Sequence, residues 1–324
     1  MFQVAMLSKW HVHASEYARR IQEMPDARVS CVWDEDPVRG AAWGKELQVD
    51  FEPCLDTLLA RPDVDGVVVD TPTSMHEEVI LKAAKAGKHI FTEKVLSLTV
   101  ASCDRIAQAI EQAGVKFCIC FPYRTNPAML YLKQVLDEGL LGEVTLLRVR
   151  NGHDGSLAGW LPEYWYDPAL PGGGAMMDLG CHPMYLSSWF LGRPTRIASM
   201  FNTRAGKAVE ENSVCTVEFA NKAIAVVETS LVSPFTPSST ELYGTEGTVI
   251  AVDGKVRLRS KKLDVEGWIE PAKLPAALPH PTRMWVDGVL KGTPIPFGLA
   301  EARALTELME KAYIADKEQR TIEF

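Results

Sequence analysis

Over its first 120 residues the chain alternates short apolar runs with segments of helical period, and this rhythm constrains the fold more than any other feature. Apolar runs at 3–7, 29–33, 66–69, 89–91 and 116–121 read as strands. Residues 14–24, 40–47, 54–60, 76–86 and 98–113 lie between them with helical spacing; Tyr17, Ala18 and Ile21 share one side of the first, and Gly87 closes the fourth. Gly66-Val67-Val68-Val69 is apolar throughout, as a strand covered on both faces must be. Strands separated by helices at this interval predict a parallel, doubly wound sheet.

After about residue 122 the rhythm changes. Residues 131–138 read as a helix stopped by Gly139, and 143–150 alternate as a strand. Strand patterns follow at 195–202, 213–219, 224–230, 239–243 and 247–252, joined by turns such as Asn221-Lys222 and Asp253-Gly254. Residues 300–317 form an amphipathic closing helix. At 324 residues the chain exceeds the usual size of one core. The expectation is an α/β chain of two domains: residues 1–122 with a doubly wound parallel sheet, and residues 123–324 as an α+β domain with an open, mostly antiparallel sheet.

Composition excludes several classes. The net charge is −8, with Lys and Arg scattered rather than clustered, which argues against a nucleic-acid partner. No apolar run approaches the roughly 18–20 residues that span a bilayer, so no membrane partner is expected. Residues 1–7 lack a charged leader and cleavage site and read as a first strand. The seven cysteines are an odd number, and Cys118-Ile119-Cys120 has the wrong spacing for CxxC chemistry, so reduced, buried thiols in a cytoplasm are expected.

A parallel sheet puts ligands beyond the carboxyl ends of its strands. The turns there are Ser8-Lys9-Trp10-His11-Val12-His13, the turn opened by Asp34, Asp70-Thr71-Pro72-Thr73-Ser74-Met75-His76, and Thr92-Glu93-Lys94. Asp34 is either a solvated turn residue or a carboxylate for the two ribose hydroxyls of an NAD adenosine, repelling a 2′-phosphate. Lys94 is either a surface lysine or an ammonium that holds a substrate hydroxyl. In the second half, Gly172-Gly173-Gly174 leads into Asp178 and His182, four residues apart and on one face of a helix. That pair reads either as a cap followed by one polar residue or as a small-molecule site.

Taken in order, these motifs resemble the Gfo/Idh/MocA family of sugar and polyol oxidoreductases. Thr71-Pro72 with His76 is similar to its TPxxxH segment, Thr92-Glu93-Lys94 to its EKP motif, and residues 173–182 to its GGGxxxDxGxH motif. Residues 124–127, 138–144 and 241–247 resemble its domain-joining segment and late strand–turn, so the likeness runs through the whole chain. It implies a Rossmann domain followed by a substrate domain, and hydride transfer between nicotinamide and a carbinol of a sugar, cyclitol or sugar derivative. The implied catalytic residues are Lys94, His182 and Asp178: acid/base work for His182, an electrostatic role for Lys94, and orientation by Asp178. The implied cofactor-binding residues are Ser8, Trp10, His11, His13, Asp34, Thr71, Pro72, His76, Glu93 and Lys94, with NAD preferred to NADP. A homodimer or homotetramer is implied, with a sugar or polyol as substrate.

Two departures qualify the likeness. Val95 replaces the proline of EKP and disfavours a cis peptide by about 2.5–4 kcal/mol. A GxGxxG would fall on Ser8, Trp10 and His13, so all three glycines are replaced and a large ring stands where backbone normally nears the pyrophosphate. Trp10 either packs in the core or stacks on the cofactor. The alternative function is a sugar-binding or regulatory member whose dinucleotide site is degraded or holds its cofactor permanently. His11-Val12-His13 also has the HxH spacing of zinc hydrolases, but those are barrels and the second half does not continue a barrel pattern, so no metal is expected. The aromatic loop 151–171 suits either a sugar or an oligomer surface.

Overall fold

The computed structural model describes residues 1–324. Its first unit comprises Met1–Cys120 and Pro279–Thr306. In chain order it contains β1 (Phe2–Leu7), α1 (Ala14–Gln22), β2 (Ala27–Trp33), α2 (Pro37–Leu47), β3 (Asp50–Phe51), α3 (Leu55–Leu59), β4 (Gly66–Val69), α4 (His76–Lys85), β5 (His89–Thr92), α5 (Val100–Ala113) and β6 (Phe117–Ile119). The strands form one sheet of order β3-β2-β1-β4-β5-β6, all parallel. This is the doubly wound order, with its reversal between β1 and β4.

Local chemistry accounts for the helix ends. Asp36 caps α2 by accepting from Val38 and Arg39 N–H, with Pro37 at the first position. Thr99 caps α5, and Gly114 ends it at φ +65°. Val67, Val68 and Val69 are wholly buried, as expected of a strand covered on both faces.

The second unit comprises Phe121–Leu278 and Glu307–Phe324. Its elements are α6 (Pro127–Asp137), β7 (Val144–Gly152), α7 (Gly155–Ala158), α8 (Cys181–Leu191), β8 (Pro194–Asn202), β9 (Asn212–Phe219), β10 (Ile224–Ser230), β11 (Ser239–Gly244), β12 (Gly247–Val252) and β13 (Lys255–Ser260). Then α9 (Pro281–Leu290) and the start of α10 (Leu299–Glu318) belong to the first unit, and β14 (Ile322–Glu323) to the second. A single cut at 122 therefore misses the return of residues 279–306. Trp285 of α9 is fully buried, edge-on to Phe2 at 5.2 Å. It lies so close over Gly66 that an added Cβ there would stand 2.9 Å from its ring.

The second sheet runs β13-β12-β11-β7-β10-β9-β8-β14 and is antiparallel except for β7 with β10. Alternation defines its inner face: Leu147, Val149 and Asn151 on β7, Cys215, Val217 and Phe219 on β9, and Ala225, Val227 and Thr229 on β10. The largely apolar α8 packs against β7 and β10. On the other face Glu228 receives Arg148 Nε at 2.6 Å and Arg150 Nε at 2.8 Å.

Candidate active site

In the first unit, the turn after β1 keeps the glycine conformation without the glycine. Ser8 has φ +79°, a left-handed backbone that ordinarily selects Gly, and its Oγ accepts from Trp10 N–H at 3.0 Å. Trp10 is buried at 3% exposure, which favours packing over an open stacking platform. Asp34, just past β2, has a side chain sealed from solvent. Its oxygens accept from Lys9 N–H (2.8 Å), Asp36 N–H (2.8 Å), Arg39 Nε (2.9 Å) and an Arg39 terminal nitrogen (2.7 Å). The sequence did not mark Arg39; only the fold of α2 brings its fork onto Asp34. Glu35 also binds Arg39, at 2.5 Å, and burial pushes its carboxyl up.

The turns after β4 and β5 are tied together by His76. Its ring is buried, with Nε2 3.1 Å from Thr71 O and Nδ1 3.1 Å from Leu96 O. Burial pulls its pKa down, so the neutral ring serves as a strut between two loops rather than an open contact. Thr71 and Pro72 are buried beside it. The Lys94–Val95 peptide is cis, contrary to the expectation from valine; Val95 and Leu96 are wholly buried, and tertiary packing overrides the local preference. Lys94 is 5% exposed, and its N–H donates to Glu93 Oε2 at 2.8 Å.

Glu93 gathers the other polar groups. Its Oε1 accepts from His13 Nδ1 at 2.7 Å and from the Tyr17 hydroxyl, and lies 3.5 Å from His11 Nδ1. Burial would raise this carboxyl, but the charges of His11 and His13 outweigh it and hold Glu93 well below the usual carboxylate range. Asp70 at the end of β4 has the opposite fate: burial, then the charge on Glu93, push it well up. Tyr17 is a neighbour of Glu93 that sequence spacing alone did not reveal, while Asp70 opens a turn already marked by chain order.

In the second unit, residues 176–180 form a single π-helical turn that leads into α8, in place of the continuous α-helix expected. Such turns recur at functional sites. The i,i+4 geometry assumed for Asp178 and His182 therefore does not apply: Asp178 sits in the wide turn and His182 at the start of α8. Inward polar groups of the sheet hold this turn, Thr229 Oγ1 donating to Ala175 O and Asn151 Nδ2 to Leu179 O, each at 3.2 Å.

The glycines before it are required by close approach. A Cβ on Gly173 would collide with Tyr313 Oη, and one on Gly174 with Glu210 O. Glu210 pins the segment, its Oε1 accepting from Gly174 N–H (2.9 Å), Met176 N–H (3.0 Å) and the Tyr313 hydroxyl (2.7 Å). Burial nevertheless raises its pKa. His182 is 5% exposed and stacks on Tyr123, centroids 4.5 Å apart and planes 14° apart, with Nδ1 2.9 Å from Tyr185 Oη. Tyr185 Oη also accepts Tyr123 N–H at 3.1 Å. In the aromatic loop, Trp165 and Tyr166 are buried while Trp160 is exposed. His153 is close enough to feel the charge of Asp178, and burial lowers its pKa. Tyr123 and Tyr185 surround His182, His153 feels Asp178, and Glu210 holds the segment before them, partners that the motif itself did not display.

A six-stranded parallel sheet of this order, with an acidic residue closing β2, defines a Rossmann-type domain of the dinucleotide-binding class. Residues 11–121 match the oxidoreductase family model described as NAD-binding Rossmann fold, and residues 129–250 match the GFO/IDH/MocA C-terminal domain. The chain belongs to the Gfo/Idh/MocA oxidoreductase family. It is 34% identical over 139 residues to 2,7-anhydro-N-acetylneuraminate hydratase of Mediterraneibacter gnavus, a match spanning 43% of this chain and only 37% of that relative. To 1,5-anhydro-D-fructose reductase of Ensifer adhaerens it is 28% identical over 247 residues, 73% of this chain and 74% of the reductase. Among solved structures it resembles GenD2 from gentamicin A biosynthesis in complex with NAD, with a TM-score of 0.85, 26% identity and coverage of 100% and 96% of the two chains. No helix of the chain is long and apolar enough to cross a membrane.

The residues fit a dinucleotide unevenly. The positive φ of Ser8 fits the first turn, and Asp34 stands at the ribose position, although its oxygens already accept four donors. The buried Trp10 does not reproduce the open second-glycine position.

Proposed function

We propose that the chain is an NAD-dependent dehydrogenase acting on a carbinol of a sugar, cyclitol or sugar derivative. The observation that carries this reading is His182, a buried imidazole oriented by Tyr185 and Tyr123 next to the turn bearing Asp178. Alcohol oxidation needs a base for the hydroxyl proton and a donor for the developing carbonyl oxygen. With Nδ1–H given to Tyr185, Nε2 of His182 is the basic nitrogen that takes the proton. Lys94 supplies the positive charge and donor, and Asp178 orients by hydrogen bonding. Nicotinamide, when bound, supplies the hydride chemistry.

Ser8, Trp10, His11, His13, Asp34, Thr71, Pro72, Glu93 and Lys94 are the cofactor-facing set, with His76 positioning their loops. NAD is preferred to NADP: a 2′-phosphate there would meet Asp34 and Glu35 against the one guanidinium of Arg39. Relatives named for anhydro sugars, and the aromatic loop, support the substrate class. The outer sheet face with exposed Met200, Val214 and Ile224 supports a homodimer or homotetramer. Seven free thiols fit a reducing cytoplasm.

A second reading is a member that does not exchange its cofactor or lacks one. The buried Trp10 and the four donors already on Asp34 favour it. Calorimetry with NAD and NADP, after an absorbance check for retained nicotinamide, tests both. Micromolar binding of NAD supports the dehydrogenase and opens an assay with sugars and cyclitols. Retained nicotinamide supports permanent holding, and the absence of both binding and retention refutes catalysis by NAD.

A further inference from the structure

The turn that lost its glycines gained two imidazoles, and the fold brings a carboxylate to them from 80 residues away. His11 and His13 follow β1, and Glu93 follows β5, within the same unit. Their ligand atoms all lie within 4.8 Å of one another, and the two imidazole centroids are 4.8 Å apart. From Glu93 Oε1, His13 Nδ1 stands at 2.7 Å and His11 Nδ1 at 3.5 Å. Metal bonds of about 2.0–2.2 Å at octahedral or tetrahedral angles separate ligand atoms by about 2.8–3.6 Å. The two spacings from Glu93 lie at or near that range and all ligand atoms lie within 4.8 Å, so side-chain rotation would be needed to close the three around a cation.

The surroundings are those of a metal site rather than of a solvated ion pair. His11 and Glu93 are buried, whereas the His13 side chain is 38% exposed, which leaves one side accessible. The Glu93 carboxylate is oriented by Lys94 N–H on Oε2, the outer support of a metal ligand, while the Tyr17 hydroxyl donates to Oε1 beside the two imidazoles. His11 Nδ1 accepts from His13 N–H at 3.3 Å, a long bond that marks this nitrogen as the acceptor of the ring, and a metal would take that lone pair in place of the N–H.

A second observation points the same way. Asp70, whose carbonyl accepts His11 N–H at 3.2 Å, is fully buried, and neither of its carboxylate oxygens has a hydrogen-bond partner. A buried carboxyl with unmet oxygens thus stands one backbone hydrogen bond from His11, where a cation would offset the cost of burying it.

We propose that His11, His13 and Glu93 form a binding site for one divalent ion of the zinc class, with at least one coordination position open on the His13 side. Two imidazoles and one carboxylate select zinc, cobalt or nickel over magnesium and calcium, which prefer all-oxygen shells. Three protein ligands with a vacant position make a site of the open type, able to take water or an anionic oxygen. The ion displaces the proton shared by His13 and Glu93, so its binding releases protons. The site lies within one unit and shares His11, His13 and Glu93 with the cofactor-facing set, so it is read by metal titration without dinucleotide.

The experiment uses the full chain after chelator treatment, titrated with Co²⁺ alone and then Zn²⁺ alone. One equivalent of Co²⁺ is expected to produce ligand-field absorption bands that Zn²⁺ abolishes, with Mg²⁺ unable to compete. The partly exposed His13→Ala and the buried Glu93→Gln, each checked for folding by circular dichroism, should lose at least about tenfold in Zn²⁺ affinity. His89→Ala and His153→Ala should bind as the parent does. Absence of stoichiometric Zn²⁺ binding, or binding that a folded His13→Ala retains in full, overturns the proposal.

Discussion

Replacing Glu210 with alanine tests whether the segment bearing Asp178 and His182 is held from behind. One carboxylate oxygen accepts from two backbone N–H groups, those of Gly174 and Met176, and from the Tyr313 hydroxyl. Truncation strands three donors, at about 1–2 kcal/mol each for a buried group left unmet, so the expected loss is about 3–6 kcal/mol. Chemical denaturation reads this as a shifted midpoint at unchanged slope. Glu210→Gln keeps a carbonyl acceptor and should lose far less.

The pH dependence separates the two replacements further. Burial raises the folded pKa of Glu210 above its ordinary 4.5. A raised folded pKa means a stability contribution fully present below 4.5 that is lost as pH rises through the raised value. The parent should therefore lose stability relative to Glu210→Gln across that window. Steady-state kinetics of Glu210→Gln should show a lower kcat if the pinned turn sets the placement of Asp178. A Glu210→Ala loss under about 1 kcal/mol would refute the reasoning, because no arrangement of three buried unmet donors is that cheap.

Asp34→Ala should abolish NAD binding by calorimetry, and leaving it intact would remove Asp34 from the adenosine site. His182→Ala should lower kcat by about 10²–10⁴, the usual contribution of a positioned acid/base. Tyr185→Phe should keep most of the activity and move the pH profile of kcat, since it removes the hydroxyl at Nδ1. His280, which caps α9 by accepting Thr282 N–H, has its pKa lowered by burial to about 4. A lowered folded pKa means stability present above 6.5 and lost as pH falls toward about 4. His280→Asn keeps a cap and should flatten the acid limb of a stability–pH curve.

Much of the first unit was legible because its signals are local. A buried strand such as Gly66–Val69 announces itself in four residues, and helix periodicity is read within two or three turns. The turns after β1, β2, β4 and β5 follow from chain order, so Asp34, Lys94 and the residues near them could be marked in advance. The second unit was legible as a sheet but not as a register. The parallel pairing of β7 with β10 joins strands more than 70 residues apart, and nothing in either strand names its partner. Strand β13 and helix α9 went unread, and α9 crosses back to the first unit only because Trp285 finds Phe2 and Gly66 there.

By itself, then, the sequence determined the alternation of elements, the family, and which turns could bear chemistry, because periodicity and motif order are properties of neighbouring residues. The tertiary structure alone decided what each polar side chain meets. It set Arg39 on Asp34, made His76 a strut, opened a π turn under Asp178, and drew Glu93 to His11 and His13. Those outcomes depend on burial and on contacts across tens of residues, where desolvation and hydrogen-bond partners set charge and orientation.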